Sequence, residues 1–423
     1  MRKKRLYRSF LLLISLSSFA LAAYEQTGEQ RHGRQPSHLY QVSMRDAKSG
    51  AEGIGFIDKT GKLVIGLDQL PKGTKAVGEF HEGRAVIYLP KEAGDEEINA
   101  DHKAGYIDET GKVVIAPRYE LARDFSEGLA YVEAKEFRGF IDREGKAVIN
   151  IGPLADDLDE GTGGIQAKDF HEGLAAVRAH GEWGYIDRSG KLVIKRQYRF
   201  ADDFSEGLAG VEVDSKYGFI NQKGEMVIQP RFEPRKDRQH GRLTVGTSRF
   251  SEGLACVKLD SFYGFINKKG EFQIQPQFIR AQDFSEGLAW VVVRDEKSFA
   301  VQKIGWIDKS GHWAITEVNG QRLLDSEDLR DWRYSEGLVP FPVHSENKYL
   351  WGYMNQRGEV VIKPKGVRWV GPFVGGVAHV FFNENLDYSA EGRGGFFDKE
   401  SKQFIEGKDG YINRTGQFIW PPK

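Results

Sequence analysis

Seven glutamates stand at one recurring place: Glu82, Glu127, Glu172, Glu206, Glu252, Glu286 and Glu336. Each follows Phe-Ser/His or Tyr-Ser and precedes Gly. Carboxylates brought together at one mouth of a symmetric assembly would attract cations. The plainer role is acceptance of backbone N–H groups at the bend that the glycine makes. A second set is aromatic and flanks recurring glycines: Trp183, Tyr185, Tyr217, Tyr263, Trp351 and Tyr353. Such rings either stack on sugars from an exposed face or pack between neighbouring elements.

Other chemistries lack a constellation. The ten histidines are scattered, with no His-Glu-x-x-His and no Cys/His cluster, so neither a metal nor a cofactor is expected. His81 and His171 stand where other copies have Ser. Cys256 is the one cysteine and lies between Ala255 and Val257, so no internal disulfide forms and a small core residue is expected. No Gly-x-Ser-x-Gly elbow or phosphate-cradling loop occurs. The expectation is a protein that is not an enzyme.

The elements that place these residues are two repeated segments. The first is Gly-aromatic-Ile-Asp/Asn, two residues, Gly, then an apolar run, starting at Gly55, Gly105, Gly139, Gly184, Gly218, Gly264, Gly305 and Gly352. Degenerate copies start at Gly395 and Gly410. This is a β-hairpin: the Asp or Asn bonds its own backbone two residues on, and the later glycine supplies a positive φ. A calcium loop would need alternating acidic ligands, which are missing. The second segment, Phe-Ser/His-Glu-Gly-Leu-Ala-x-Val, starts at Phe80, Phe125, Phe170, Phe204, Phe250 and Phe284, with weaker copies at Tyr334 and Phe373.

Each unit reads as a three-stranded antiparallel meander, with a fourth strand expected near Pro117–Tyr119 or Pro276–Phe278. Runs such as Leu192-Val193-Ile194 are apolar on both faces, which predicts sheets covered on both sides by stacking. Long and short connections alternate, so hairpin glycines 105, 184, 264 and 352 recur at near 80 residues. The long loops, Asp156–Gly164, Arg235–Val245 and Glu317–Asp331, are the expected binding surfaces.

Trp183-Gly184-Tyr185-Ile186-Asp187, Trp351-Gly352-Tyr353-Met354-Asn355, the Asp-x-x-Gly-Lys turns and the Phe-Ser-Glu-Gly-Leu-Ala segments resemble the WG, or KWG, repeats of bacterial proteins. Only two copies keep Trp before the glycine; Tyr217 and Tyr263 replace it, and Ile54, Ala104, Arg138 and Ile304 depart from it. The resemblance implies an all-β repeat architecture and an interaction role, with no shared catalytic residues. A closed β-propeller-like ring is expected, with an open β-solenoid as the alternative. The small residue after Leu (Ala130, Ala175, Ala209, Ala255, Ala289) suits crowded innermost strands, and the segment Gly395–Trp420 reads as a capping end.

Three regions result: a signal peptide over 1–22, a lead-in over 23–53 and the repeat domain over 54–420. The first has five basic residues (Arg2, Lys3, Lys4, Arg5, Arg8), an apolar core from Phe10 to Phe19, and small residues at Ala20 and Ala22. That core is too short to span a bilayer, so no membrane anchor is expected after cleavage. Of 60 Lys+Arg, the loss of those five leaves 55 against 61 Asp+Glu, a net charge of −6. This balance excludes nucleic acid as the expected partner. The chain therefore reads as exported, to the periplasm or outside the cell. There a protein partner is expected first and a cell-wall glycan second.

Overall fold

A computed structural model describes residues 39–45, 52–91, 102–154, 166–239, 242–246, 249–294, 301–318, 321–323, 333–345, 348–364, 366–382, 396–397, 404–405 and 408–420. The expected signal peptide lies outside them, as does the long loop Asp156–Gly164. Antiparallel sheets follow one another as nine blades in a closed ring, a β-propeller. They run over residues 39–65, 76–119, 121–150, 166–198, 200–232, 254–278, 280–315, 338–362 and 367–420, and are numbered here in that order as blades 1 to 9. The strand Leu39–Arg45 of blade 1 lies in the segment expected to be a lead-in.

Blades 2, 3, 4, 5 and 7 have a two-residue first strand, such as Phe200–Ala201, followed in that blade by Leu208–Val213, Lys216–Asn221 and Met226–Phe232; blade 9 is also four-stranded and starts with the longer Val367–Val374. The fourth strand was therefore misplaced from sequence: Pro117–Tyr119 and Pro276–Phe278 continue the apolar strands Val113–Tyr119 and Phe272–Phe278. The additional strand is the short one before the Phe of the second segment. In the four-stranded blades it also takes the edge position expected for the Leu-Ala strand, so Ala130, Ala175, Ala209 and Ala289 are buried one strand further out, whereas Ala255 stays on the edge strand of the three-stranded blade 6.

Each hairpin turn closes as its residue types require. Asp187 Oδ1 accepts the N–H groups of Ser189 and Lys191 at 2.9 and 3.1 Å, and Asn221 Oδ1 does the same for Lys223 and Glu225 at 3.0 Å. Gly184 shows why a side chain is excluded beside the aromatic residue. The fourth strand bulges around it, and a Cβ there would lie 2.5 Å from the Ile194 carbonyl oxygen.

The core is divided among the joints. Nine buried clusters each join two neighbouring blades, from Phe56, Ile65 and Phe80 between blades 1 and 2 to Val42, Ile57, Val377 and Tyr411 between blades 9 and 1. Both faces of the inner strands are covered in this way. The outer strand is not: Val148, Val193, Val227 and Val361 are 46%, 40%, 41% and 50% exposed. The Ile that follows each of them points into a joint, as do Tyr198 and Phe232 at the far ends of their strands.

The C-terminal segment does not act as a cap. Lys408–Asn413 and Phe418–Trp420 are the third and fourth strands of blade 9, which packs on blade 1. Phe396–Phe397 and Phe404–Ile405 form a separate two-stranded ribbon within that blade's connection. Two more hairpins leave the blades after blades 5 and 7: Arg235–Gln239 with Arg242–Gly246, and Glu317–Val318 with Gln321–Arg322. With the loop after blade 3, these insertions fall at every second joint.

Candidate functional site: the belt around the ring axis

The second segment forms the inner rim. Ser126 Oγ donates to the Phe170 carbonyl of the next blade at 2.6 Å, and Ser205, Ser251, Ser285 and Ser335 repeat the bond at 2.6 to 2.8 Å. A serine side chain can span two blades only where they converge, near the axis. The glutamates run beside these serines. Glu82 accepts the N–H groups of Glu127 and Gly128, both at 2.8 Å, and Glu127 accepts those of Glu172 and Gly173 at 2.7 and 3.0 Å. Glu172, Glu206, Glu252, Glu286 and Glu336 accept Gly207, Gly253, Gly287, Gly337 and Gly376 at 2.8 to 3.3 Å. The donors thus belong to the next blade's bend, not to the glutamate's own.

Each of the seven carboxylates also meets a donor from that next blade, one residue after the hairpin Asp or Asn. Arg143 reaches Glu82 at 2.7 Å, Lys268 reaches Glu206 at 3.2 Å and Lys309 reaches Glu252 at 3.0 Å. Arg188, Gln222, Gln356 and Arg414 do the same for Glu127, Glu172, Glu286 and Glu336 at 3.3 to 3.6 Å. The arrangement is a chain of charge-assisted bonds that holds neighbouring blades together. Among the described residues no group of three or more His, Cys, Asp or Glu is placed to hold a metal ion.

The aromatic set belongs to the same joints. Tyr185, Tyr217, Tyr263 and Tyr353 are buried, whereas Trp183 and Trp351 are half-buried. Tyr185 donates to the Asp202 carbonyl of blade 5 at 2.5 Å, and Tyr353 donates to the Gly371 carbonyl of blade 9 at 2.8 Å. Burial, then Asp202, pushes the Tyr185 hydroxyl well above its ordinary range. Rings at this position pack on the next blade's Phe or Tyr, as in Tyr185–Phe204 and Tyr353–Phe373 with centroids 4.9 and 4.6 Å apart. Trp183 has the Lys168 ammonium 5.7 Å from its ring centroid, a cation–π contact.

Sequence reasoning missed the charged residues just before the Phe. Asp203 pairs with Arg249 of the next blade at 2.7 Å and with His171 of the preceding blade at 3.4 Å. His81 pairs with Asp124 at 3.2 Å in the same way. Histidine in the serine place thus serves the same joint through a carboxylate. Lys168 meets Asp202 at 3.2 Å; burial pulls its pKa down, but Asp202 and Asp203 outweigh this and raise it. The signal was present: Glu79, Asp124, Asp169, Asp203 and Asp283 all immediately precede the Phe.

Blades 9 and 1 close the ring with other groups. Gly375 stands in the glutamate place, and Tyr40 donates to the carbonyls of Val374 and Gly375 at 3.0 and 3.2 Å. Tyr411 donates to the Gln41 carbonyl at 2.6 Å, with the two tyrosine rings 5.7 Å apart. Ser43 donates to Asp409 at 3.2 Å, and Asp409 lies 3.0 Å from His379 Nε2. Burial, then Glu336, pushes the Tyr40 hydroxyl up to about 12.

A nine-bladed ring whose joints are made by a repeated Gly-aromatic hairpin and a Phe-Ser-Glu-Gly bend defines a repeat β-propeller. The family model described as "WG containing repeat" matches residues 105–135, 183–217, 217–233, 263–296 and 351–385, and the chain carries WG repeats at these five regions. No curated protein matches it. Among solved structures it is similar to a eukaryotic initiation factor, at 11% identity and a TM-score of 0.53 over 90% of this chain and 95% of that one. It is similar also to apo AztD from Citrobacter koseri, at 12% identity and a TM-score of 0.33 over 90% and 94%. A third is the extracellular domain of the putative one component system BT4673 from B. thetaiotaomicron, at 12% identity and a TM-score of 0.30 over 90% and 56%. At these identities the first likeness concerns the fold alone.

Proposed function

We propose that the protein is an exported, non-catalytic binding scaffold of the bacterial envelope or exterior, with a protein as its first partner. The observation that carries this reading is where the recurrent polar groups are spent. The seven glutamates and their donors are engaged between blades, while the least repetitive sequence projects at alternate joints. The hairpins Arg235–Gly246 and Glu317–Arg322 are the surfaces on which a partner would act. Export is supported by the basic, apolar and small-residue order over residues 1–22.

Crosslinking of the tagged mature protein in cells, followed by mass spectrometry, tests the reading. A reproducible protein partner lost on shortening either hairpin is the expected result. A cytoplasmic location, or an isolated ring that turns over substrate, would contradict it.

A second reading, binding of cell-wall glycan, rests on Trp183 and Trp351, the half-buried members of the aromatic set. Retention on purified sacculi that Trp183→Ala and Trp351→Ala abolish without loss of folding would favour this reading. Loss of folding instead would assign both rings to packing.

A further inference from the structure

One recurring charged position is left unspent in blade 4. The residue that faces the position before the hairpin glycine is charged in four blades, as Glu133, Arg178, Glu212 and Lys258. Three of them are engaged by protein. Glu133 accepts the Tyr131 hydroxyl at 2.7 Å, Glu212 accepts that of Tyr217 at 3.1 Å, and Lys258 pairs with Glu233 at 3.3 Å. Arg178 is part-buried, and among the described residues its guanidinium has neither a hydrogen-bond acceptor nor an ion-pair partner. Its Nε is buried without a partner as well. A polar group held in this way costs stability until another group meets it.

The surroundings define what that group would be. Arg178 stands directly opposite Trp183, and the same row continues to Gln166 on the inner strand and Tyr198 on the outer. Residues paired across strands share one face of the sheet, with Cβ atoms about 5 Å apart. This face is the joint with blade 5, because Tyr198 belongs to the buried cluster of Ala201, Phe204 and Val211, and Trp183 packs against it. Gln166 is exposed, and its amide is also without a partner among the described residues. The Lys168 ammonium beside the Trp183 ring is already paired with Asp202 at 3.2 Å. Arg178 is therefore the unspent cation of the row.

Each of these groups has its own complement. A guanidinium takes a carboxylate through paired N–H bonds, an amide meets hydroxyls, and an indole ring offers an apolar face. A sugar that carries a carboxylate has all three. Trp351 lacks this company, since Pro342 stands opposite it.

We propose that Gln166, Arg178 and Trp183 form a binding site for an acidic sugar, with its carboxylate on Arg178 and its ring against Trp183. This rests on the glycan reading and deepens it by naming one blade and one charge class.

The test is NMR on the full mature chain labelled with 15N-tryptophan, the Trp183 indole signal being identified by its loss in Trp183→Phe. The probes are a disaccharide ending in glucuronate, the neutral glucose disaccharide of the same linkage, and acetate. The expected result is a saturable shift of Trp183 with the acidic disaccharide, with Trp351 unmoved. Binding should be about tenfold weaker for the neutral sugar, and for the acidic sugar in Arg178→Gln at an unchanged melting temperature. Equal shifts with acidic and neutral sugars, or no Trp183 shift, would overturn the proposal. An equal response to acetate would assign the seat to any carboxylate, a peptide's included, and would overturn it too. Binding of the soluble probe without retention on sacculi would reject the wall reading and keep the site. Retention that depends on Trp351 alone would do the reverse.

Discussion

Glu206 illustrates what a single belt residue does. Its carboxylate joins the Gly253 N–H and the Lys268 ammonium, so it links blades 5 and 6 through two charge-assisted bonds. Glu206→Ala should lower unfolding free energy by about 1 to 3 kcal/mol, with Glu206→Gln between it and the parent, in urea titrations at neutral pH. An unchanged midpoint would mean that solvent serves the bend equally well. Glu79 titrates in the opposite sense from a paired acid. Burial, then Asp124, pushes it up to about 7 from an ordinary value of 4.5, against a downward pull from His379. The folded chain thus keeps a proton that the unfolded chain releases. Stability from this group is complete below pH 4.5 and declines as pH rises towards 7. The side chain keeps some exposure, so the loss should be only about 1 kcal/mol. Glu79→Gln should remove that decline between pH 5 and 7.5, as read from melting temperatures.

At the scale of the element, the hairpin turn is both a local device and a contact with the previous blade. Gly190 has φ +84, and a Cβ on it would stand 2.8 Å from Ile149 of blade 3. Gly207 has φ +86 and nothing within 4 Å. Gly207→Ala should therefore cost about 1 kcal/mol for the backbone alone, and Gly190→Ala about 2 to 3 kcal/mol, in the same denaturation assay. Equal costs would show that the joint yields freely.

Hairpins of this kind were legible because Asp, Asn and Gly are fixed by turn geometry at set spacings. The short first strand was not, since two residues such as Phe200–Ala201 leave no periodic trace. Nor could sequence tell that each glutamate serves the following blade. Its bend and the next one differ in position along the chain by 34 to 50 residues and have the same residue types, so both pairings fit.

For the whole molecule, the joints are not equal. Eight have between eight and eleven buried core residues, and the joint between blades 9 and 1 has four among the described residues. It also lacks a glutamate latch and depends on Tyr40, Tyr411 and Ser43. Amide hydrogen exchange should therefore be faster in Leu39–Arg45 than in the second strands of blades 3 to 7. Tyr411→Phe, which removes the bond to Gln41, should widen that difference without altering blade 5. Uniform exchange around the ring would contradict an uneven set of joints. The repeats could be read from sequence as a ring or a solenoid. Closure is decided by Tyr40 and Tyr411 at the two ends, of which Tyr411 belongs to the repeat copy at Gly410 and Tyr40 lies outside the recognised segments.

The central claim is that the first and last blades meet. Ser43→Cys and Asp409→Cys, in a chain with Cys256→Ala, place two thiols where the side chains now lie 3.2 Å apart. Treatment of dilute protein with a short bis-maleimide, followed by peptide mass spectrometry, should yield an intramolecular link between positions 43 and 409. A chain that gives only singly modified products or links between molecules would contradict the closed ring.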